Sequence, residues 1–147
     1  MRKRNNDYLK YWRVVRQFVK IKYNLSQADL DVILFLYSEK YFGSEKFREF
    51  NEILSWDRKR FSRLVSEGWI ESFRKKENNK KALYQLSFKA SRMVDMIYKK
   101  LNGEEISMND TVNPMFKRNV SYADKVYRNM IKEMNKATRQ QPRQTPE

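Results

Sequence analysis

The residues with chemistry to offer lie in two stretches: Asp57-Arg58-Lys59-Arg60-Phe61-Ser62-Arg63-Leu64-Val65-Ser66-Glu67-Gly68 and Lys75-Lys76-Glu77-Asn78-Asn79-Lys80-Lys81. In the first, Phe61, Leu64 and Val65 recur at i, i+3 and i+4, which places one buried stripe on a helix. The opposite face carries Arg58, Lys59, Ser62, Arg63 and Ser66. Guanidinium, ammonium and hydroxyl groups donate to phosphate oxygens and to base edges and gain little in a core. In the second stretch Lys75, Lys76, Lys80 and Lys81 flank an Asn-Asn pair and suit backbone phosphates. A solvated cationic face is the plain alternative for any one of these side chains. Their co-location on one surface favours a ligand.

Other chemistries are removed by composition. The 147 residues include no Cys and no His. That excludes the usual zinc site, a thiol nucleophile, a Ser-His-Asp arrangement and a disulfide scaffold. The carboxylates Asp29, Asp31, Glu39, Glu45, Glu49 and Glu52 stand at spacings suited to helix caps and i, i+4 pairs, with no convergent set. The expectation is therefore no enzyme, no cofactor and no metal. The formal charge is +14, unevenly spread: residues 1–25 carry +7, 26–55 carry −3 and 56–81 carry +5. A field of that sign attracts polyanions, nucleic acid foremost. With no apolar run of membrane-spanning length and no signal-peptide pattern, the chain reads as soluble, unprocessed and without a membrane role.

Those side chains need a frame. Tyr8, Tyr11, Trp12, Val15, Phe18 and Val19 repeat at three and four, predicting a long amphipathic helix that stops near Tyr23-Asn24. Ser26-Gln27-Ala28-Asp29 has the S-x-x-D form, a hydroxyl capping exposed amides with an acid at the positive helix end. The helix it opens is apolar on most sides (Leu30, Val32, Ile33, Leu34, Phe35, Leu36, Tyr37) and hence central. Gly43 is expected to end it in the left-handed conformation. Ser44 then caps a short helix with Phe47, Phe50, Ile53 and Leu54 inward, and Ser55-Trp56-Asp57 offers the cap for the cationic helix. Two short helices around a tight turn, the second cationic outside, make a helix-turn-helix.

After Gly68, residues 69–74 and 82–86 read as two strands of a hairpin with a basic tip, whose Asn78-Asn79 turn tolerates positive φ. Ser87 caps a helix through Phe88, Met93, Val94, Ile97, Tyr98 and Leu101 that ends at Asn102-Gly103. No period is sustained over 104–120, which contains Asn113-Pro114 and reads as an extended linker that wraps the domain or leaves it. Ser121-Tyr122-Ala123-Asp124 opens a last helix, whose stripe of Tyr122, Val126, Tyr127, Met130, Ile131 and Met134 asks for a partner surface. The expected plan is a basic arm 1–7, a winged-helix domain 8–103 including the N-terminal helix, a linker 104–120, a C-terminal helix 121–137 and a disordered tail 138–147. The fold class is mainly α with a small β-hairpin: a winged helix-turn-helix with additional N- and C-terminal helices.

Over about residues 25–101 the chain resembles the MarR-type regulators, in Leu25-Ser26-Gln27-Ala28-Asp29-Leu30-Asp31-Val32-Ile33-Leu34, in Phe61-Ser62-Arg63-Leu64-Val65-Ser66-Glu67-Gly68-Trp69-Ile70 and in Ala82-Leu83-Tyr84-Gln85-Leu86-Ser87. The resemblance implies a recognition helix over 57–67 in the major groove and a wing over 75–81 along the minor groove or backbone. It further implies a homodimer paired through the N- and C-terminal helices. The family's Asp-x-Arg in the wing is replaced here by Glu77-Asn78-Asn79, and its Thr and Gly near the second strand's end by Ser87 and Ala90.

The expected function is binding of double-stranded DNA as a cytoplasmic, nucleoid-associated transcriptional regulator. Its contact residues would be Arg58, Lys59, Ser62, Arg63, Lys75, Lys76, Lys80 and Lys81. Six phosphate contacts among them imply a log K against log salt slope of roughly −5. The alternative is a winged helix used for assembly in a nucleoprotein complex or viral particle, with a protein partner on the 121–137 helix.

Overall fold

Hydroxyl and carboxylate caps set the helix starts in the computed structural model, which describes residues 8–53 and 57–140. The element order is α1 (Tyr8–Tyr23), α2 (Gln27–Tyr37), α3 (Ser44–Asn51), α4 (Arg58–Ser66), β1 (Ile70–Arg74), β2 (Leu83–Leu86), α5 (Phe88–Leu101), a 3-10 turn over Pro114–Phe116, and α6 (Tyr122–Gln140). Ser26 Oγ accepts from Asp29 N at 3.1 Å, Asp57 Oδ1 from Arg60 N at 2.6 Å, Ser87 Oγ from Ala90 N at 3.2 Å and Ser121 Oγ from Asp124 N at 3.1 Å. Each satisfies an amide that the first helical turn leaves without a partner.

The residues form two compact units, 25–95 and 1–24 with 96–147, and the chain passes between them within α5. The unit 25–95 is a winged helix. Leu30, Val32, Ile33 and Leu36 of α2, Leu64 of α4, and Trp69, Ile70, Met93 and Val94 are buried in it. β1 and β2 pair antiparallel, Ile70 with Leu86, Glu71 with Gln85 and Ser72 with Tyr84, before a bulge at Phe73 shifts the register to Arg74 with Leu83. Phe42 adds a one-residue bridge to Tyr84.

That bridge corrects two expectations. α2 ends at Tyr37, and Gly43 is extended at φ −129 as the N-cap of α3, so neither a left-handed Gly43 nor a Ser44 cap exists. Phe42 exchanges backbone bonds with Tyr84 at 3.0 and 2.8 Å, pulling residues 41–43 onto the hairpin. A Cβ on Gly43 would meet Ala82 O at 3.3 Å, so the close approach suits glycine. The Asn78-Asn79 turn also differs from expectation. Among described non-glycine residues only Asn24 and Asn119 have positive φ. The turn is closed instead by paired bonds between Glu77 and Lys80 at 3.1 and 2.9 Å.

Other expectations hold in place. Asn24 (φ 52) stops α1, and Gly68 (φ 84) and Gly103 (φ 103) take the left-handed region after α4 and α5. No heavy atom lies within 4 Å of a Cβ built on Gly68, so conformational strain alone opposes a side chain there. Gly68→Ala is expected to lower unfolding free energy by about 1 kcal/mol, read as a shift of the urea midpoint at constant m.

In the other unit α1 buries Val14, Val15, Phe18 and Val19, while Tyr8 is exposed. The expected stripe is kept at Val15, Phe18 and Val19, with Tyr11 and Trp12 half-buried; Val14 joins it and Tyr8, at the start of the helix, does not. The segment 104–120, expected to wrap the domain or leave it, packs within this unit: Ile106, Asn113 and Met115 are buried. Asn113 Oδ1 accepts from Met115 N at 3.1 Å and its Nδ2 donates to Ser107 O at 2.8 Å. From α6, the Asn135 amide accepts from Ile106 N at 2.9 Å and donates to Ile106 O at 2.8 Å, completing both backbone groups of one residue. Arg128 donates to the carbonyls of Met115 and Lys117. With so few apolar anchors, side-chain amides and a guanidinium hold this segment, which is why no hydrophobic period announces it. α6 runs on to Gln140, through the start of the expected tail. The arm 1–7, the tail beyond 140 and the turn residues 54–56 lie outside the described residues. Phe88, placed inward by its spacing, is 76% exposed at the first position of α5, and Ile53 is 66% exposed.

Candidate nucleic-acid interface

The face of α4 away from the core is set by Leu64, fully buried, with Phe61 against Phe47 at 4.6 Å and Tyr84 at 4.9 Å between ring centroids. Arg58, Lys59 and Ser62 are left exposed to solvent. Neither Arg58 nor Lys59 forms an ion pair among the described residues. In the wing, Lys75, Lys76 and Lys80 are exposed and likewise without a carboxylate partner among them. Arg74 steadies the hairpin, donating to Lys81 O through Nε at 3.2 Å and Nη2 at 2.9 Å.

Two of the expected contact residues are committed elsewhere. Arg63 Nη2 donates to both carboxylate oxygens of Asp29, at 2.5 and 2.7 Å, and Arg60 Nε donates to Asp29 Oδ1 at 2.9 Å. The Asp29 side chain is 5% exposed, that of Arg60 17% and that of Arg63 48%. One buried carboxylate on α2 thus holds two guanidiniums of α4, and so fixes the rotation of that helix. Lys81 Nζ is 2.7 Å from Glu45 Oε1 on α3. The Lys81 hydrogen bond and charge hold the Glu45 carboxyl below its ordinary range.

Asp29 is the residue whose part in placing α4 the sequence reading missed. Its position three residues after Ser26 marks it as helix-capping chemistry, and that hid its long-range role. The usable signal was Arg60 beside Arg63: two guanidiniums three residues apart on a helix, one of them beside the apolar stripe, call for an acid from another element.

α3, the start of α4 and the base of the wing enclose a cleft of about 640 Å³, and Arg58 and Lys76 both line it. Of the eight expected contact residues, the structure therefore brings Arg58, Lys76 and Lys81 to one cavity. It leaves Lys59, Ser62, Lys75 and Lys80 on the surrounding surface and pairs the half-exposed Arg63 with Asp29.

No family model and no curated protein matches the sequence. Among solved structures, the chain is similar to a crystal structure of a cysteine-to-serine mutant of MarR from E. coli complexed with operator DNA, at 16% identity and TM-score 0.46, covering 85% of this chain and 84% of that one. It is also similar to a structure of disulfide-formed AbfR, at 12% identity and TM-score 0.46, covering 90% of this chain and 84% of that one. No helix among the described residues is long and apolar enough to cross a membrane, and no group of acidic side chains there is placed to hold a metal ion.

Proposed function

We propose that this protein binds double-stranded DNA without catalysing a reaction, as a cytoplasmic transcriptional regulator. α4 enters the major groove, and the wing 75–81 follows the backbone. The observation that carries this reading is the division of labour among the cations. Arg60 and Arg63 are paired with the buried Asp29, and Lys81 with Glu45 on the surface. Arg58, Lys59, Lys75, Lys76 and Lys80 are exposed and have none among the described residues. A helix and a hairpin that present unpaired cations from a frame held by paired ones are arranged for a polyanion.

Five phosphate-neutralising side chains imply a log K against log salt slope of about −4.5 on duplex DNA. Electrophoretic or fluorescence titrations between 50 and 200 mM salt measure it. Replacing all five by Ala is expected to bring the slope close to zero with the fold intact by circular dichroism. A wild-type affinity that does not change with salt overturns the proposal.

Dimerisation through the terminal helices fits the exposed apolar side chains of that unit, Leu9 at 85%, Tyr122 at 82% and Val126 at 42%. The same side chains favour the second reading, an assembly module whose partner covers α6. The five-site variant separates the two readings, since assembly survives it and DNA binding does not.

A further inference from the structure

The cleft beside α4 has more in it than a duplex backbone needs. Three rings line it: Phe47 and Phe61 lie 4.6 Å apart, and Phe61 and Tyr84 4.9 Å apart in an edge-to-face arrangement. Arg48 from α3, Arg58 from α4 and Lys76 from the wing line it too. The Tyr84 hydroxyl bonds to no other described residue, which leaves a polar handle beside the rings. Asp57, the acidic lining residue, has its carboxylate turned to the amide of Arg60 as the cap of α4. Its charge is thereby set against the positive end of that helix. The volume of about 640 Å³ is that of a small-molecule site.

Rings alone would describe a piece of exposed core, and cations alone a solvated rim. Together they specify a guest with a flat aromatic part and a compact anion at one end. Guanidinium forks match a phosphate through paired hydrogen bonds, Lys76 adds a point charge, and aromatic faces and edges take a planar ring. We propose that this cleft binds a nucleoside monophosphate, its base against Phe61 and Tyr84 and its phosphate held by Arg48, Arg58 and Lys76. Binding of the nucleotide stands independently of the DNA reading. Its consequence rests on that reading: Arg58 and Lys76 cannot hold the nucleotide phosphate and a duplex phosphate at once, so the guest competes with DNA.

The test uses adenosine 5′-monophosphate and cytidine 5′-monophosphate in calorimetric titrations of the full-length protein, with adenosine and inorganic phosphate as partial ligands. Both nucleotides are expected to bind at millimolar concentration or below, and each partial ligand at least roughly tenfold more weakly. Arg48 is exposed on a helix and is not among the proposed duplex contacts, so Arg48→Ala is expected to keep the fold. It should weaken nucleotide binding by roughly tenfold and leave duplex affinity within about twofold. Tyr84→Phe, which keeps the ring, should retain binding to within a fewfold. Absence of nucleotide binding, an affinity equalled by inorganic phosphate, or an unchanged affinity in Arg48→Ala each overturn the site. If the wild type binds nucleotide and does not bind duplex, the DNA proposal falls and the site stands.

Discussion

Replacing Asp29 by alanine is expected to lower unfolding free energy by about 3 kcal/mol, at the lower end of what breaking a buried ion pair costs. The carboxylate is 5% exposed and is shared by two guanidiniums. Removing it takes from Arg60, whose side chain is 17% exposed, the carboxylate oxygen 2.9 Å from its Nε. Arg63, at 48%, can turn back to water, which discounts its share. The expected order of cost is therefore Asp29→Ala above Arg60→Ala above Arg63→Ala, the last within about 1 kcal/mol of wild type. Urea denaturation at constant m-value measures all three. An Arg63→Ala loss as large as that of Asp29→Ala would contradict the view that Arg60 carries the buried half of the triad.

The largest expected loss comes from Asn135→Ala, at about 4 kcal/mol. Both polar groups of the Ile106 backbone end on this one side chain, and Ile106 is 1% and Asn135 3% exposed. A buried amide hydrogen and a buried carbonyl left without partners cost about 1–3 kcal/mol each. Asn135→Leu refills most of the volume and is expected to be nearly as damaging, because the loss is one of pairing and only secondarily of packing. Asn135→Asp restores one acceptor and sets a carboxylate oxygen against Ile106 O, so it should not rescue. Hydrogen exchange at the Ile106 amide reads the contact directly: protection is expected to vanish in Asn135→Ala and Asn135→Leu. Retained protection in Asn135→Leu would overturn the assignment.

These two residues also mark where the sequence was legible and where it was not. Caps are local chemistry. Ser26, Asp57, Ser87 and Ser121 each serve an amide three residues on, and all four helices begin where that spacing says. The cationic surface was legible for a similar reason, since a helical period separates Leu64 from Arg58, Lys59 and Ser62 whatever else the chain does. Long-range polar pairing leaves no such pattern. Arg60 beside Arg63 signals that an acid is needed, but no local pattern tells that it stands 34 residues before Arg63. Nothing near Tyr41-Phe42 shows that Tyr84 will draw the backbone out of a helix and into a bridge. For the segment 104–120 the sequence left open whether it wraps the domain or leaves it, because two buried Asn side chains and Arg128 replace the apolar repeat by which packed segments are recognised.

The anchoring of α4 also limits its vocabulary. Arg63 is turned to Asp29, and the Ser66 hydroxyl donates to Arg63 O at 2.9 Å. The outward side chains at the leading end of the helix are then Arg58, Lys59 and Ser62. Only Arg58 among them has the forked donor that distinguishes one base pair from another by about 1–3 kcal/mol. A reader with one strong letter cannot spell a long word. On DNA such a surface would grip duplexes in general and choose among them by groove width and bendability more than by the order of their bases.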